Sequence, residues 1–328
     1  MSRKEQAKKL GYICFILILV LVILFSGLRI LESTVLSKGQ QAGEQAASKT
    51  IERNGIEYYP RNDITVMLVM GIDETGPVKD SGSYNNTGEA DMVALLVFDE
   101  TNEQMDILYL NRDTMVDMPA LGIGGKVAGT VNRQLALSHT YGSGLSDSCE
   151  NTKKTVSDLF NGLYINYYVA MNMDAIPILN DAVDGVTVNV VDDFSEVNPE
   201  IGMGQVTLRG QQALDYVQVR REVGDQKNLS RMERQKEYMQ SFLTAFNKKT
   251  SEQETFVLET YDQVSDYIVT DMIASSISSL WSKYADYELN EVVTLEGENV
   301  LGSGHYEFIL DEEALDELTL RMFYEPKN

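Results

Sequence analysis

DMVALLVFDETNEQMDILYLNRD, residues 91–113, holds two apolar runs, Met92–Phe98 and Met105–Leu110, on either side of a polar turn through Asp99-Glu100-Thr101-Asn102. Neither run alternates polar with apolar, so each is predicted to be an interior strand covered on both faces. So short a connection makes them antiparallel neighbours. The start of the first then lies beside the end of the second, and Asp91 and Asp113 meet at one edge of a sheet. Carboxylates that close repel unless a cation sits between them. Mg²⁺ typically takes one or two carboxylates and leaves its other positions to water and substrate phosphate. In a chain with 50 acids, a pair of solvated strand-end acids is the plainer alternative.

The same pattern extends outward. Ile64–Met70 is a third buried strand bounded by Gly71, and residues 73–90 form a long loop rich in Gly, Ser and Asn. Helices are expected at Thr130–Tyr141, Ser148–Asn161 and Asp174–Val183, the last capped by Asp174. Strands are expected at Tyr167–Met171 and Gly185–Val191. Beyond Phe246 the expectation is a helix over Thr270–Tyr284, strands at Glu291–Leu295 and Tyr306–Leu310, and an acidic helix at Asp311–Phe323. Strands alternating with helices argue for an α/β fold, a mixed central β-sheet sandwiched by helices.

Gly11–Leu28 carries no charge and is almost wholly Ile, Leu, Val and Phe, long enough with Ile30 and Leu31 to be a transmembrane helix over residues 11–31. Arg3, Lys4, Lys8 and Lys9 against Glu5 keep a tail of residues 1–10 in the cytoplasm and send the rest outside. No small-residue cleavage site follows the run, so an uncleaved anchor is expected over a signal peptide. Residues 32–61 read as an extracellular spacer, 62–247 as a core, and 248–328 as an extension packed on the core or a small subdomain. The chain carries −23 overall, leaving about −26 beyond the basic tail. That excludes nucleic acid as a partner held by charge. Cys14 and Cys149 form no disulfide framework, and a catalytic Cys149 would need His139 or His305 beside it.

Against that acidity, residues 209–236 hold seven Lys and Arg to four acids. A short helix begins near Arg209-Gly210-Gln211 and ends at Arg220-Arg221. A second begins at Ser230, with Glu233 completing a capping box. Met232, Met239, Phe242, Leu243 and Phe246 form its buried stripe, and Arg231, Arg234 and Tyr238 are expected beside it at a cleft rim. Arginines in a first helical turn oppose the helix dipole. Free amides with guanidinium forks there suit an anion such as a diphosphate, while pairing with surface acids is the bland alternative.

In this order, Met67–Asp73, Ala90-Asp91-Met92, Asn111-Arg112-Asp113-Thr114, Asn166-Tyr167-Tyr168-Val169, Asp181–Val188, Gly210–Val217 and Arg231-Met232-Glu233-Arg234-Gln235 resemble the LytR–CpsA–Psr family over about residues 62–247. The resemblance implies a membrane-anchored, extracellular α/β enzyme. It would move a glycopolymer, such as teichoic acid or capsule, from a polyprenyl-pyrophosphate carrier to peptidoglycan at the cytoplasmic membrane, releasing polyprenyl phosphate. It implies catalysis by Asp91, Arg112 and Asp113, Mg²⁺ on Asp91 and Asp113, and pyrophosphate binding by Lys126, Arg220, Arg231, Arg234 and Gln235. Four departures stand out: Glu89 where the family has arginine, Ala90 and Met92 where it has hydroxyls, Gln218 for another arginine, and a longer loop at 225–231. A lipid pyrophosphatase with water as acceptor, and a non-catalytic lipid- or glycopolymer-binding module, stay open on the sequence.

Overall fold

The computed structural model describes residues 50–327 apart from 220–222, 224–227, 254, 274–275, 277–278, 281–282, 285–286 and 303–305. The tail, span and first part of the spacer expected over residues 1–49 lie outside the described residues. Among the described residues no helix is long and apolar enough to cross a membrane. In chain order come β1 (Ile51–Arg53), β2 (Ile56–Pro60), β3 (Ile64–Ile72), β4 (Ala90–Asp99), β5 (Gln104–Leu110), β6 (Met115–Leu121), β7 (Val127–Gln134) and α1 (Ser146–Leu159). Next are β8 (Tyr167–Asn172), α2 (Ala175–Ala182), β9 (Val186–Val190), β10 (Gly204–Leu208), α3 (Gln211–Gln218), α4 (Asn228–Glu252) and α5 (Phe256–Val264). The described chain closes with β11 (Ile268–Thr270), β12 (Glu288–Thr294), β13 (Gly297–Leu301), β14 (Tyr306–Leu310), α6 (Glu312–Phe323) and β15 (Tyr324–Pro326).

Six strands form the central sheet in the order β11-β8-β3-β4-β5-β12. β8 runs parallel to β3 and β12 parallel to β5, while the other pairs are antiparallel, so the sheet is mixed. Both faces are covered, which is why its strands are written as unbroken apolar runs. Val66, Leu68, Met70, Val93, Leu95 and Val97 point to one side, against Val156 and Phe160 of the α1 region and Phe323 of α6. Met67, Val69, Ala94, Leu96 and Phe98 point to the other, where Phe98 stacks on Tyr284 at 4.2 Å. A separate apolar layer joins α2, β9, β10, α3, α4 and α5 through Leu179, Val188, Leu214, Phe242, Phe246 and Phe256.

Several expectations are corrected. Thr130–Tyr141 is not a helix: it is β7, paired along its length with β6, followed by a 3₁₀ turn at Leu135–Ser138. Thr130 and Val131 are β-branched and follow Gly129, so helix propensity there is weak and strand pairing wins. Helix α4 starts at Asn228, making Ser230 an interior position and not a cap. Asp174 holds the N-cap position of α2 as expected, but its carboxylate makes no capping bond and instead accepts the Gly76 N–H at 2.6 Å. Thr270 is in strand β11, and much of the helix expected over Thr270–Tyr284 lies outside the described residues. Residues 51–60, assigned to the spacer, form a hairpin whose β2 pairs with the C-terminal β15.

Residues after 247 supply both outer strands of the central sheet. α6 is capped as its sequence requires, with the Asp311 carboxylate accepting from the Glu313 and Ala314 amides. The sheet's middle carries the fold's stability. Leu95 is fully buried on β4, and Leu95→Ala should destabilise the chain by about 2–5 kcal/mol, read as a lowered urea midpoint at unchanged slope.

Candidate functional site

The β4–β5 register brings the start of β4 beside the end of β5, with Val93 opposite Leu110 as the last paired residues. On its other side β4 pairs with β3, and there Gly71 faces Met92 while Ile72 faces Ala90. Asp91 is the extra residue of that bulge, and such bulges re-aim a side chain at a sheet's rim. The result is a cluster built around one guanidinium. Arg112 Nη1 donates to Asp91 Oδ1, Arg112 Nη2 lies 3.3 Å from Glu89 Oε2, and Arg112 Nε lies 3.6 Å from Asp113 Oδ1. The sequence expectation that Asp91 and Asp113 share one edge is met through a residue that lies between them.

Asp113 is held from several directions. Its amide donates to Asn111 Oδ1 at 3.0 Å, its carbonyl accepts from Phe308 at 2.8 Å, and its Oδ1 accepts from Gln134 Nε2 at 2.8 Å. Neither Gln134 nor the β14 backbone was singled out from sequence, because strand pairing this distant leaves no local signature. The Arg112 carbonyl accepts from Ala136 at 3.0 Å, fixing the turn from behind. The loop between β3 and β4 is tied down as well. Asn86 Nδ2 donates to the carbonyls of His139 and Gly142, and Gly88's carbonyl meets His139 Nδ1 at 2.8 Å.

Electrostatically the cluster is short of positive charge. Glu89, Asp91 and Asp113 share Arg112, and Asp73 adds its field. Partial burial raises the pKa of Asp91 above the ordinary carboxylate range; Arg112 opposes this, while Asp73 and Glu89 reinforce it. Among the described residues, no group of three or more His, Cys, Asp or Glu is disposed to hold a metal ion. Two carboxylates in surplus negative charge nevertheless fit a hard cation that completes its shell with water and phosphate oxygen. Asp91 and Asp113 are the residues that would hold it.

The cluster sits at the carboxyl ends of the parallel neighbours β3 and β8, the side of an open α/β sheet where ligands bind. The end of α3 approaches the same side. Gln218, at the end of α3, donates to Met173 Sδ at 3.0 Å, and the Met173 amide donates to the Glu74 carbonyl at 3.1 Å, next to Asp73. Arg220 follows directly but lies outside the described residues, as do the side chains of Arg231 and Gln235 on α4.

Arg234 is described, and it is not at a cleft rim. It is 2% exposed, with Nε donating to the Tyr216 carbonyl at 3.0 Å, Nη2 to the Val219 carbonyl, and Nη1 to Asp192 at 2.6 Å. Its guanidinium also lies 5.3 Å from the centre of the Phe194 ring. It therefore braces the backbone leading into Arg220. Tyr238 is buried too, donating to Asn180 Oδ1. Both belong to the face of α4 packed on β9 and α3, because the buried stripe is wider than the sequence suggested. Lys126 is exposed at the tip of the β6–β7 ribbon, roughly 20 Å along the strands from the end that carries Asp113.

Cys149 does have a histidine near it, with Sγ 3.9 Å from His139 Nε2. Both are buried. Burial pushes the thiol well above its usual pKa and the imidazole below its own, so the pair is neutral and lacks a thiolate nucleophile.

A family model described as the LytR_cpsA_psr family matches residues 30–323. Among curated proteins, the polyisoprenyl-teichoic acid–peptidoglycan teichoic acid transferase TagU of Oceanobacillus iheyensis is 29% identical over 265 residues, spanning 78% of this chain and 75% of that protein. TagU of Enterococcus faecalis is 28% identical over 275 residues, 82% of this chain and 80% of its own length. Among solved structures, protein gbs0355 of Streptococcus agalactiae has a TM-score of 0.62 at 22% identity, covering 79% of this chain and 86% of that one. TagT, solved bound to LI-WTA, has a TM-score of 0.55 at 22% identity, covering 80% and 90%. These structural likenesses are likenesses of fold.

Two outcomes test the site's energetics. The raised pKa of Asp91 means the folded state binds its proton more tightly than the unfolded one, so its ionisation costs stability as pH rises through the carboxylate range. Without divalent cations, Asp91→Asn should melt no lower than the parent chain at pH 7, and any gain should vanish below about pH 4. Arg234→Ala strands Asp192 and two carbonyls, and should cost roughly 3–5 kcal/mol in urea unfolding, where a phosphate ligand at a rim would cost almost nothing.

Proposed function

The chain belongs to the LytR–CpsA–Psr family, and on that premise we propose that it is a phosphotransferase moving a teichoic-acid-like glycopolymer from a polyprenyl-pyrophosphate carrier to peptidoglycan. The observation that carries this reading is the seating of Arg112 between Asp91 and Asp113 at the carboxyl ends of β3 and β8. The names of the TagU relatives support the substrate class.

A hydroxyl of peptidoglycan attacks the phosphorus that bears the glycopolymer. The new P–O bond forms as the bond from that phosphorus to the bridging oxygen breaks, and polyprenyl phosphate leaves. Such transfer asks mainly for positioning and for charge to be neutralised on the phosphoryl oxygens. Arg112 supplies a fixed guanidinium at the sheet edge. Asp91, half-buried and hydrogen-bonded to Arg112, would accept the hydroxyl proton. Asp113 is immobilised by backbone and amide contacts, which suits an orienting role. When bound by Asp91 and Asp113, Mg²⁺ would neutralise phosphate charge. In this reading Arg220, Arg231 and Gln235 grip the diphosphate, and Arg234 holds the Tyr216 and Val219 carbonyls that precede Arg220. Residues 11–31 anchor the chain with its N-terminus in the cytoplasm and the site outside.

The test uses the full chain in detergent, a polyprenyl-pyrophosphate-linked teichoic acid precursor and peptidoglycan. Polyprenyl phosphate should be released in step with polymer attached to the wall, only with Mg²⁺, and Arg112→Ala should lower the rate about 10²–10³-fold. Equal release without peptidoglycan would make the chain a pyrophosphatase. Lipid binding without release would make it a binding module.

A further inference from the structure

Gln134 closes β7 opposite Met115, and its amide nitrogen reaches two acceptors at once: Asp113 Oδ1 at 2.8 Å and the Tyr306 carbonyl at 2.8 Å. An amide nitrogen has two hydrogens, so both are used. The reverse orientation would set the amide oxygen against a carboxylate and a carbonyl, both acceptors, and is excluded on that ground. Tyr306 begins β14, and two residues on Phe308 donates its amide to the Asp113 carbonyl while forming an isolated bridge with Thr114. Asp113 is therefore gripped by its side chain through Gln134 and by its main chain through the β13–β14 hairpin, 172 residues from Gln134 in sequence.

We infer that Gln134 is a positioning residue for Asp113, and that strand β14 supports the reaction site through its backbone at Tyr306 and Phe308. The inference rests on the transferase reading for its kinetic consequence. Its structural content is that Asp113 and the hairpin move as one unit. With Oδ1 held by Gln134, rotation of the Asp113 carboxylate is restrained. Without Gln134 the carboxylate gains rotational freedom beside Arg112, and a displacement of about an ångström at a reacting centre can cost about a hundredfold.

The experiment compares the full chain with Gln134→Ala, Gln134→Glu and Gln134→Lys. Gln134→Ala should lower kcat about tenfold with KM for the lipid donor within about twofold. Gln134→Glu should lower kcat further, since it donates nothing and repels Asp113. Gln134→Lys, which restores a donor, should recover most of the rate. Full activity in Gln134→Ala, or no recovery in Gln134→Lys, overturns the role. Hydrogen exchange gives a readout that needs no turnover. Uptake should rise together over residues 111–115 and 306–310 in Gln134→Ala and return in Gln134→Lys. A change confined to the hairpin refutes the coupling. Were the parent chain inactive on the lipid substrate, the transferase reading would fail and the exchange result alone would decide.

Discussion

A single guanidinium held among carboxylates at the rim of a buried sheet is the contact on which the site is built. Arg112 can hold that place only because β4 and β5 are locked in register and a bulge turns Asp91 outward at the β3 boundary. Both conditions come from burial. Strands covered on two faces cannot slip by one residue without carrying every side chain to the wrong layer. Packing in the middle of the sheet thus fixes chemistry at its edge.

The guanidinium also shapes what the cluster can accept. Three carboxylates around one arginine, with Asp73 behind them, leave a negative excess that favours a cation and disfavours a bare phosphate. On the proposed reading a diphosphate would enter only with a divalent cation, the arginines of the segment after α3 adding to its hold. The strongly acidic surface makes the same demand at longer range. Glu89 adds to this excess.

Much of this was legible in residues 91–113. Two apolar runs and a short turn predict an antiparallel pair, and the pair predicts where Asp91 and Asp113 go. The part that could not be read depends on partners far away in sequence. Nothing within Thr130–Gln134 says that β6 is its partner, so local spacing suggested a helix. Arg234 looks like a rim residue on a helical wheel, and only the packing of α4 on β9 and α3 shows it buried. Gln134 has no motif at all. Its role comes from the C-terminal hairpin returning beside Asp113, and so do the outer strands that residues after 247 add to the sheet.

The central claim is that the carboxylates around Arg112 admit a lipid diphosphate only in company with a divalent cation. Calorimetric titration of the full chain in detergent with polyprenyl pyrophosphate, with Mg²⁺ and then with chelator, tests it directly. The account predicts binding with Mg²⁺ that is lost in chelator and in the Asp91→Asn, Asp113→Asn double variant. Equal affinity with and without Mg²⁺, unchanged in that variant, would contradict it.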